Sequence, residues 1–334
     1  MIQDKLKFDD LLTQLVKQGA SDLYLTSGKP AMFKIVDEFK PANNEILTNE
    51  KIEQYFLPLM NVEQKKVLQI QKSLVFGQTF SNGLRFKINL FYAHNFLAAD
   101  LHFISPIVKD IKELGLPSKV EEIANISSGL VVLSGPFHSG KTTTATAILE
   151  YLNNAKFLKI ITLEKPIGIV LTSKKSMIQQ REIGFDTPDL KTGLRDCLIT
   201  NLDAVLVSGF ENKLELELIL ELAEQGKTVF LITSAVSVLD TLAKFLALFG
   251  EDERPRIANV LSRTLQAVVC QKLIKNKKNN WLVVPEILVH NQAVQSSIAE
   301  NKVQQLDNII RTSAKFGMIS FEQSLSALKE QGEI

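Results

Sequence analysis

The stretch GPFHSGKTTTATAIL, from Gly135 to Leu149, limits what this chain can fold into more than any other. It satisfies G-x-x-x-x-G-K-[ST] at every fixed position: Gly135, Gly140, Lys141 and Thr142. Alone the pattern has false positives. Here LVVLS stands directly before it and TTATAILEYL directly after, a strand, a glycine loop and a helix in the required order. The glycines let successive backbone N–H groups turn inward around phosphates, and the helix N-terminus adds a favourable dipole. The reading is a site for ATP with Mg²⁺. Gly135, Ser139, Gly140 and Thr143 form the cradle, Lys141 reaches the β- and γ-phosphates, and the Thr142 hydroxyl ligates the metal. His138 holds a variable position and reads as a solvent-facing loop residue rather than a catalyst.

Strongly apolar runs surround the loop: LVVLSG, FLKIITLE, DAVLVSG and TVFLITSA. They suit strands buried on both faces of a mainly parallel sheet. Helical patterns lie between them. One runs from about Lys213 to Gln225, with Asn212 and Glu215 as a capping pair and Gly226 as its stop; another runs from Val238 to Phe249 and ends at Gly250. The alternation predicts a doubly wound α/β domain over residues 123–290. Residues 1–105 read as a small α+β domain. Phe8, Leu11, Leu12, Leu15 and Val16 recur at helical spacing before Gly19, and Ser21 to Leu25 reads as a strand. FKIVDEFKP and the run from Leu84 to Tyr92 add strand signals, with Asn82-Gly83 as a hairpin turn. Residues 106–122 read as a linker with a short helix. A mostly helical tail is expected after Trp281, with a C-terminal helical region at 291–334 and a capping box at Ser320 and Gln323.

With 334 residues the chain suits two domains. Lys and Arg number 38 against 37 Asp and Glu, a balance that argues against a protein coating nucleic acid. The basic run KLIKNKKNN, Lys272 to Asn280, lacks interleaved aromatics and reads as a solvated turn between strands. Cys197 and Cys270 sit apart in apolar runs, as buried thiols in a reducing cytosol would. The N-terminus carries acids and no apolar signal core, and no apolar run is long enough to span a bilayer, so a soluble, cytoplasmic protein is expected. The four histidines show no metal-ligand spacing.

Several stretches in order resemble the type IV pilus retraction ATPases, the PilT/PilU branch of the type II/IV secretion ATPases. They are KQGASDLYL (Lys17 to Leu25), LRFKINLF, the phosphate-binding loop, TLEKPI (Thr162 to Ile167) and QQREIGFDT (Gln179 to Thr187). LSRTLQAVVCQKLI (Leu261 to Ile274) and PEIL (Pro285 to Leu288) complete the series. The resemblance implies a PAS-like N-terminal domain and a RecA-like motor domain in a hexameric ring of like subunits. The ring would dock on an inner-membrane pilus platform protein, at the cytoplasmic face, and draw pilin back. Glu164 aligns with the glutamate that activates the attacking water, and Arg85 with an arginine facing the phosphates; each also reads as an ordinary strand residue. Arg181 and Arg195 match family arginines and equally suit intramolecular ion pairs.

Four departures from the family pattern bear on chemistry. DAVLVSGFEN puts Gly209 where a glutamate helps hold Mg²⁺ and water, and Ser234 in LITSAVS replaces a histidine. Ile199 and Asn201 in LITNLD replace an arginine and an aspartate, and His102 in LHFIS replaces another arginine. The tail reads AVQSSIAE, Ala293 to Glu300, without the basic residues of the family's retraction-associated segment. Losing one acid–base or electrostatic donor typically slows such chemistry by about 10²–10⁴-fold. The expectation is therefore ATP binding with slow or absent hydrolysis, in a partner or regulator of an active motor. The alternative is an active hexameric motor driving pilus retraction and twitching motility. Glu211, two residues beyond Gly209, is a poor substitute for the missing acid because its carboxylate would sit several ångströms off.

Overall fold

Alternating burial along the early strands, with Leu23 and Leu25, then Phe86, Ile88 and Leu90, turned inward, builds a sheet with one covered face. The computed structural model describes residues 2–36 and 38–334, with side chains from Phe8 onward. By contacts the chain divides into two units, Met1–Ile107 with Lys165–Ile169, and Val108–Glu164 with Val170–Ile334.

The first unit contains, in chain order, α1 (Ile2–Lys17), β1 (Asp22–Leu25), β2 (Pro30–Ile35), β3 (Glu38–Ile46), α2 (Asn49–Phe56), α3 (Val62–Gln71), β4 (Ser73–Thr79), β5 (Arg85–Ala93) and β6 (Phe96–Ile104). Its sheet is antiparallel in the order β3-β2-β1-β6-β5-β4. Phe8 of α1 stacks on Tyr55 at 4.2 Å between ring centroids and meets Phe56 and Phe80 edge-on, which fixes α1 against α2 and the β4–β5 corner. Asn82-Gly83 does form the turn between β4 and β5, with Gly83 at φ 78°. FKIVDEFKP is not one strand: β2 ends at Ile35 and β3 begins at Glu38, with Val36 at φ 58° in the turn.

The second unit contains α4 (Lys119–Ala124), β7 (Gly129–Gly135), α5 (Lys141–Ala155), β8 (Lys159–Glu164), β9 (Met177–Glu182), α6 (Leu190–Ile199), β10 (Ala204–Val207), α7 (Lys213–Glu224), β11 (Thr228–Ser234), α8 (Val238–Ala247), α9 (Arg254–Thr264), β12 (Leu265–Lys275), β13 (Trp281–Val289), α10 (Gln292–Ala299), α11 (Leu306–Thr312) and α12 (Phe321–Glu330). The sheet order is β13-β12-β7-β11-β10-β8-β9, parallel throughout except for the antiparallel pair β12–β13. All four apolar runs read as strands are β7, β8, β10 and β11 at its centre, and every residue of β7 and β10 is buried. This is an α/β fold, as expected.

Asn212 accepts from the Glu215 N–H to open α7, and Ser320 and Gln323 close a reciprocal capping box at the head of α12. The chain after Trp281 is not immediately helical. Trp281–Val289 is β13, paired with β12 through the hairpin turn at Asn276 to Asn280, and helices begin at Gln292. Its run WLVVPEILV is apolar apart from Glu286, and Val284 to Leu288 are buried in succession, so no period of two distinguishes it from a buried helix.

Phe86 is fully buried whereas Phe39 on the edge strand β3 is 60% exposed. Phe86→Ala is expected to cost about 3–5 kcal/mol and Phe39→Ala within about 0.5 kcal/mol, measured by urea unfolding of each variant.

Candidate functional site

Parallel strands deliver their C-terminal ends to one edge, and the phosphate-binding loop opens there from β7. Gly135 at φ 151° turns the chain out of the strand, and Gly140 at φ 85° turns it into α5. A Cβ on Gly135 would lie 2.3 Å from the Gln271 carbonyl oxygen and 2.4 Å from Ser139 Oγ, and one on Gly140 would lie 3.0 Å from Gln271 Nε2. The cradle therefore admits only glycine at both positions. Ser139 is buried, while Thr142 and Thr143 are exposed on the first turn of α5. Lys141 Nζ donates to the Pro136 carbonyl at 2.5 Å, and burial lowers its pKa. A lysine half-withdrawn from water and disfavoured as a cation gains from an anion placed beside it. These residues fit a nucleotide phosphate chain with its Mg²⁺: backbone N–H groups and Lys141 for the phosphates, the Thr142 hydroxyl for the metal. His138 is exposed at φ 58°, with Phe137 edge-on to its ring at the loop's tip.

Neighbouring strands set what surrounds the loop. On one side β11 runs in register with β7 so that Ser234 pairs with Gly135. On the other, β12 pairs Cys270 with Ser134, which carries Gln271 alongside the loop. The Gln271 amide donates to the Ser139 carbonyl at 2.6 Å and accepts from Thr144 Oγ1 at 2.9 Å. Further along the same edge, Glu164 ends β8, buried, and its Oε1 accepts from Thr162 Oγ1 at 2.6 Å and from Gln180 Nε2 at 3.0 Å. Two donors on one oxygen orient a carboxylate so that it can take a proton from a group beside it. Ser208 donates to the Leu163 carbonyl, which brings the end of β10 level with Glu164. The next residue is Gly209, at φ 148°, with space for a side chain, its nearest neighbour the Ile232 carbonyl oxygen at 3.9 Å. Glu211 follows, its backbone N–H held by Glu215 Oε2 at 2.7 Å.

The structure gathers Gly135, Ser139, Gly140, Lys141, Thr142, Thr143, Glu164, Gly209 and Ser234 at the carboxyl edge. Ile199 and Asn201 lie at the opposite edge, before β10, where Asp203 accepts from the Lys159 N–H. Ile199 is 88% exposed. Arg181 is paired with Asp196 at 3.0 Å and donates to the Asp186 carbonyl, and Arg195 is exposed. In the first unit, Arg85 donates from Nε to the Gly168 carbonyl at 2.8 Å, from Nη2 to Ile167 at 2.9 Å and from Nη1 to Thr79 Oγ1 at 3.0 Å. His102 Nδ1 lies 2.8 Å from Asp22 Oδ1 on the paired strand. Burial pushes the Asp22 carboxyl up, but the bonds from His102 and Ser21 outweigh it and hold it below the usual carboxylate range.

Sequence reasoning passed over Gln180 and Gln271, both placed within stretches quoted for resemblance without a role. Their signal was an amide inside an otherwise apolar or strand-forming run, such as VVCQKLI, since a buried amide demands partners.

Cys270 lies beneath the loop and Cys197 on α6; burial pushes each thiol up to about 11. At pH 8 the thiolate fraction would be about 0.1%. A charged disulfide reagent is expected to titrate neither thiol in the native protein and both after denaturation.

The type II/IV secretion system protein family matches residues 107–318. The type IV pilus retraction ATPase PilT of Pseudomonas aeruginosa is 32% identical over 325 residues, 97% of this chain and 94% of that protein. The type IV pilus ATPase PilU of the same organism is 26% identical, over 98% of this chain and 86% of that protein. A crystal structure of the pilus retraction motor PilT with bound ADP superposes with a TM-score of 0.88 at 29% identity, covering 97% of this chain and 93% of that one. The loop, the sheet order and these likenesses agree: the chain belongs to the type II/IV secretion system protein family, in its PilT/PilU-like branch.

Proposed function

We propose that this chain binds ATP with Mg²⁺ but is impaired in hydrolysis, and acts as a structural or regulatory partner of an active retraction motor in a type IV pilus or related secretion machine. One observation carries this reading: a complete phosphate cradle shares its sheet edge with β10, two strands away, and the chain leaving β10 carries Gly209 where an acid is expected. Phosphoryl transfer is achieved by positioning and charge stabilisation, whereas binding rests on the backbone cradle and the lysine. The chain has kept the second set and changed part of the first, at Gly209 and Ser234. Ser234, level with Gly135, brings a hydroxyl where an imidazole would supply a titrating donor. Glu211 is a weak replacement, because its backbone is drawn to Glu215 at the head of α7. The occurrence of two curated relatives, a retraction ATPase and a second pilus ATPase, in one organism supports a role alongside a sister subunit.

In this reading the chain joins a homo- or hetero-hexamer of PilT-like subunits at the cytoplasmic face of the inner membrane, against a pilus platform protein, and without nucleic acid. No helix among the described residues is long and apolar enough to cross a membrane. The near balance of 38 basic and 37 acidic residues supports the exclusion of nucleic acid. The arginines that would face phosphates are committed or changed: Arg85 holds two backbone carbonyls, and His102 faces Asp22. A second reading, an active hexameric motor, is favoured by Glu164, whose carboxylate is oriented by two donors at the same edge as the loop.

ATP affinity with Mg²⁺ and steady-state phosphate release, measured together, separate the two. The expected result is binding by the wild type, weakened at least about 100-fold in Lys141→Ala, with phosphate release no higher than in that variant. Release that disappears in both Lys141→Ala and Glu164→Gln would instead establish the motor. Gly209→Glu alone is expected to leave release at background. Its backbone at φ 148° is one that a glutamate rarely adopts, and Ser234 remains unchanged.

A further inference from the structure

We infer that Gln271 is a positioning residue for nucleotide, a latch that holds the Ser139–Gly140 peptide from behind and ties it to the first turn of α5. The inference rests on the reading of the loop as a nucleotide site. Gln271 is the first residue of β12 beyond its paired register with β7, which ends at Cys270 and Ser134. It therefore stands beside the loop rather than beside the strand. Its side chain is 1% exposed, so its amide must find both a donor and an acceptor inside the protein. It finds them in two different parts of the loop–helix junction, the Ser139 carbonyl at 2.6 Å and the Thr144 hydroxyl at 2.9 Å.

The consequence is directional. A trans peptide points its C=O and its N–H to opposite sides. Fixing the Ser139 carbonyl against β12 therefore aims the Gly140 N–H at the other face of the loop, where phosphate is read to lie. The neutral amide suits the task chemically, with an N–H for a carbonyl and an oxygen for a hydroxyl, and adds no charge beneath the phosphates. Glutamate would set a carboxylate against the Ser139 carbonyl, and asparagine would fall short by one methylene. The same residue enforces both glycines, since its carbonyl oxygen and amide nitrogen are the atoms that a Cβ at 135 or at 140 would strike. A loop free to rotate that peptide would present a carbonyl oxygen to an anion, so nucleotide would have to reorder it on binding.

Equilibrium binding of ADP with Mg²⁺ to the full chain tests the latch, alongside the thermal midpoint of each variant without nucleotide. Gln271→Ala is expected to bind ADP about tenfold or more weakly. Thr144→Val, which keeps the β-branched shape and removes the hydroxyl, should weaken binding several-fold, and Thr144→Ser should restore it. A residue that served stability alone would lower the midpoint without moving the affinity of the folded protein. If Gln271→Ala does not fold, the comparison of Thr144→Val with Thr144→Ser decides. Folded Thr144→Val binding ADP within twofold of wild type overturns the latch alone when Lys141→Ala abolishes binding; Thr144→Ser as weak as Thr144→Val overturns it too. Wild type that binds no better than Lys141→Ala overturns the nucleotide reading and the latch together.

Discussion

A loop that turns its backbone N–H groups toward an anion must turn its carbonyls the other way, and those carbonyls need partners behind the loop. In this protein that requirement ties the site to the strand order. The Ser139 carbonyl meets Gln271, and the first glycine lies against the backbone of the same residue, so β12 is the wall on which the loop is built. β12 adjoins β7 only because the chain, after completing four more strands and their helices, returns to the near side of the loop's own strand. The phosphate cradle is thus a property of two segments separated by 132 residues.

From that wall the rest of the carboxyl edge follows in sequence. β11 lies on the loop's other flank with Ser234 level with Gly135, then β10 with Gly209, then β8 with Glu164. Each strand ends in a position where a residue type decides chemistry, and the types present divide cleanly. The glycines and the lysine of the proposed phosphate cradle lie next to β12. Further along the sheet stand glycine, serine and a glutamate oriented by Thr162 and Gln180. A glycine at φ 148° is more than a missing side chain. The backbone itself has taken a course closed to most acids, and Glu215 draws the following residues onto the helix head.

Not every departure noted in the sequence belongs to this edge. Ile199 and Asn201 fall at the opposite end of the strands, because α6 runs antiparallel to the sheet and ends where β10 begins. Within one chain they are remote from the loop, and an arginine there would serve a nucleotide only across a subunit boundary. Position 102 has acquired an intramolecular partner instead, the Asp22 carboxylate facing it across the β1–β6 pair.

Much was legible from residues alone because the deciding signals are local. The phosphate loop follows from glycine and lysine spacing, the buried strands from unbroken apolar runs, and the heads of α7 and α12 from capping residues three apart. Where local signals coincide for two structures, the sequence was ambiguous. WLVVPEILV suits a buried strand or a buried helix, and FKIVDEFKP conceals a turn at Val36 that no glycine announces. Only the tertiary structure decided which residues stand behind the loop, since Gln271, Gln180 and Ser234 reach their places through strand register. Sequence by itself determined that this chain has a G-x-x-x-x-G-K-T loop between a strand and a helix, and that glycine and serine stand at 209 and 234, because those are facts of spacing and identity. Folding determined that the cradle is complete and that Glu164, Gly209 and Ser234 share its edge while Ile199 does not. Proximity across a sheet is set by the order in which strands pack, and no short stretch of sequence encodes that order.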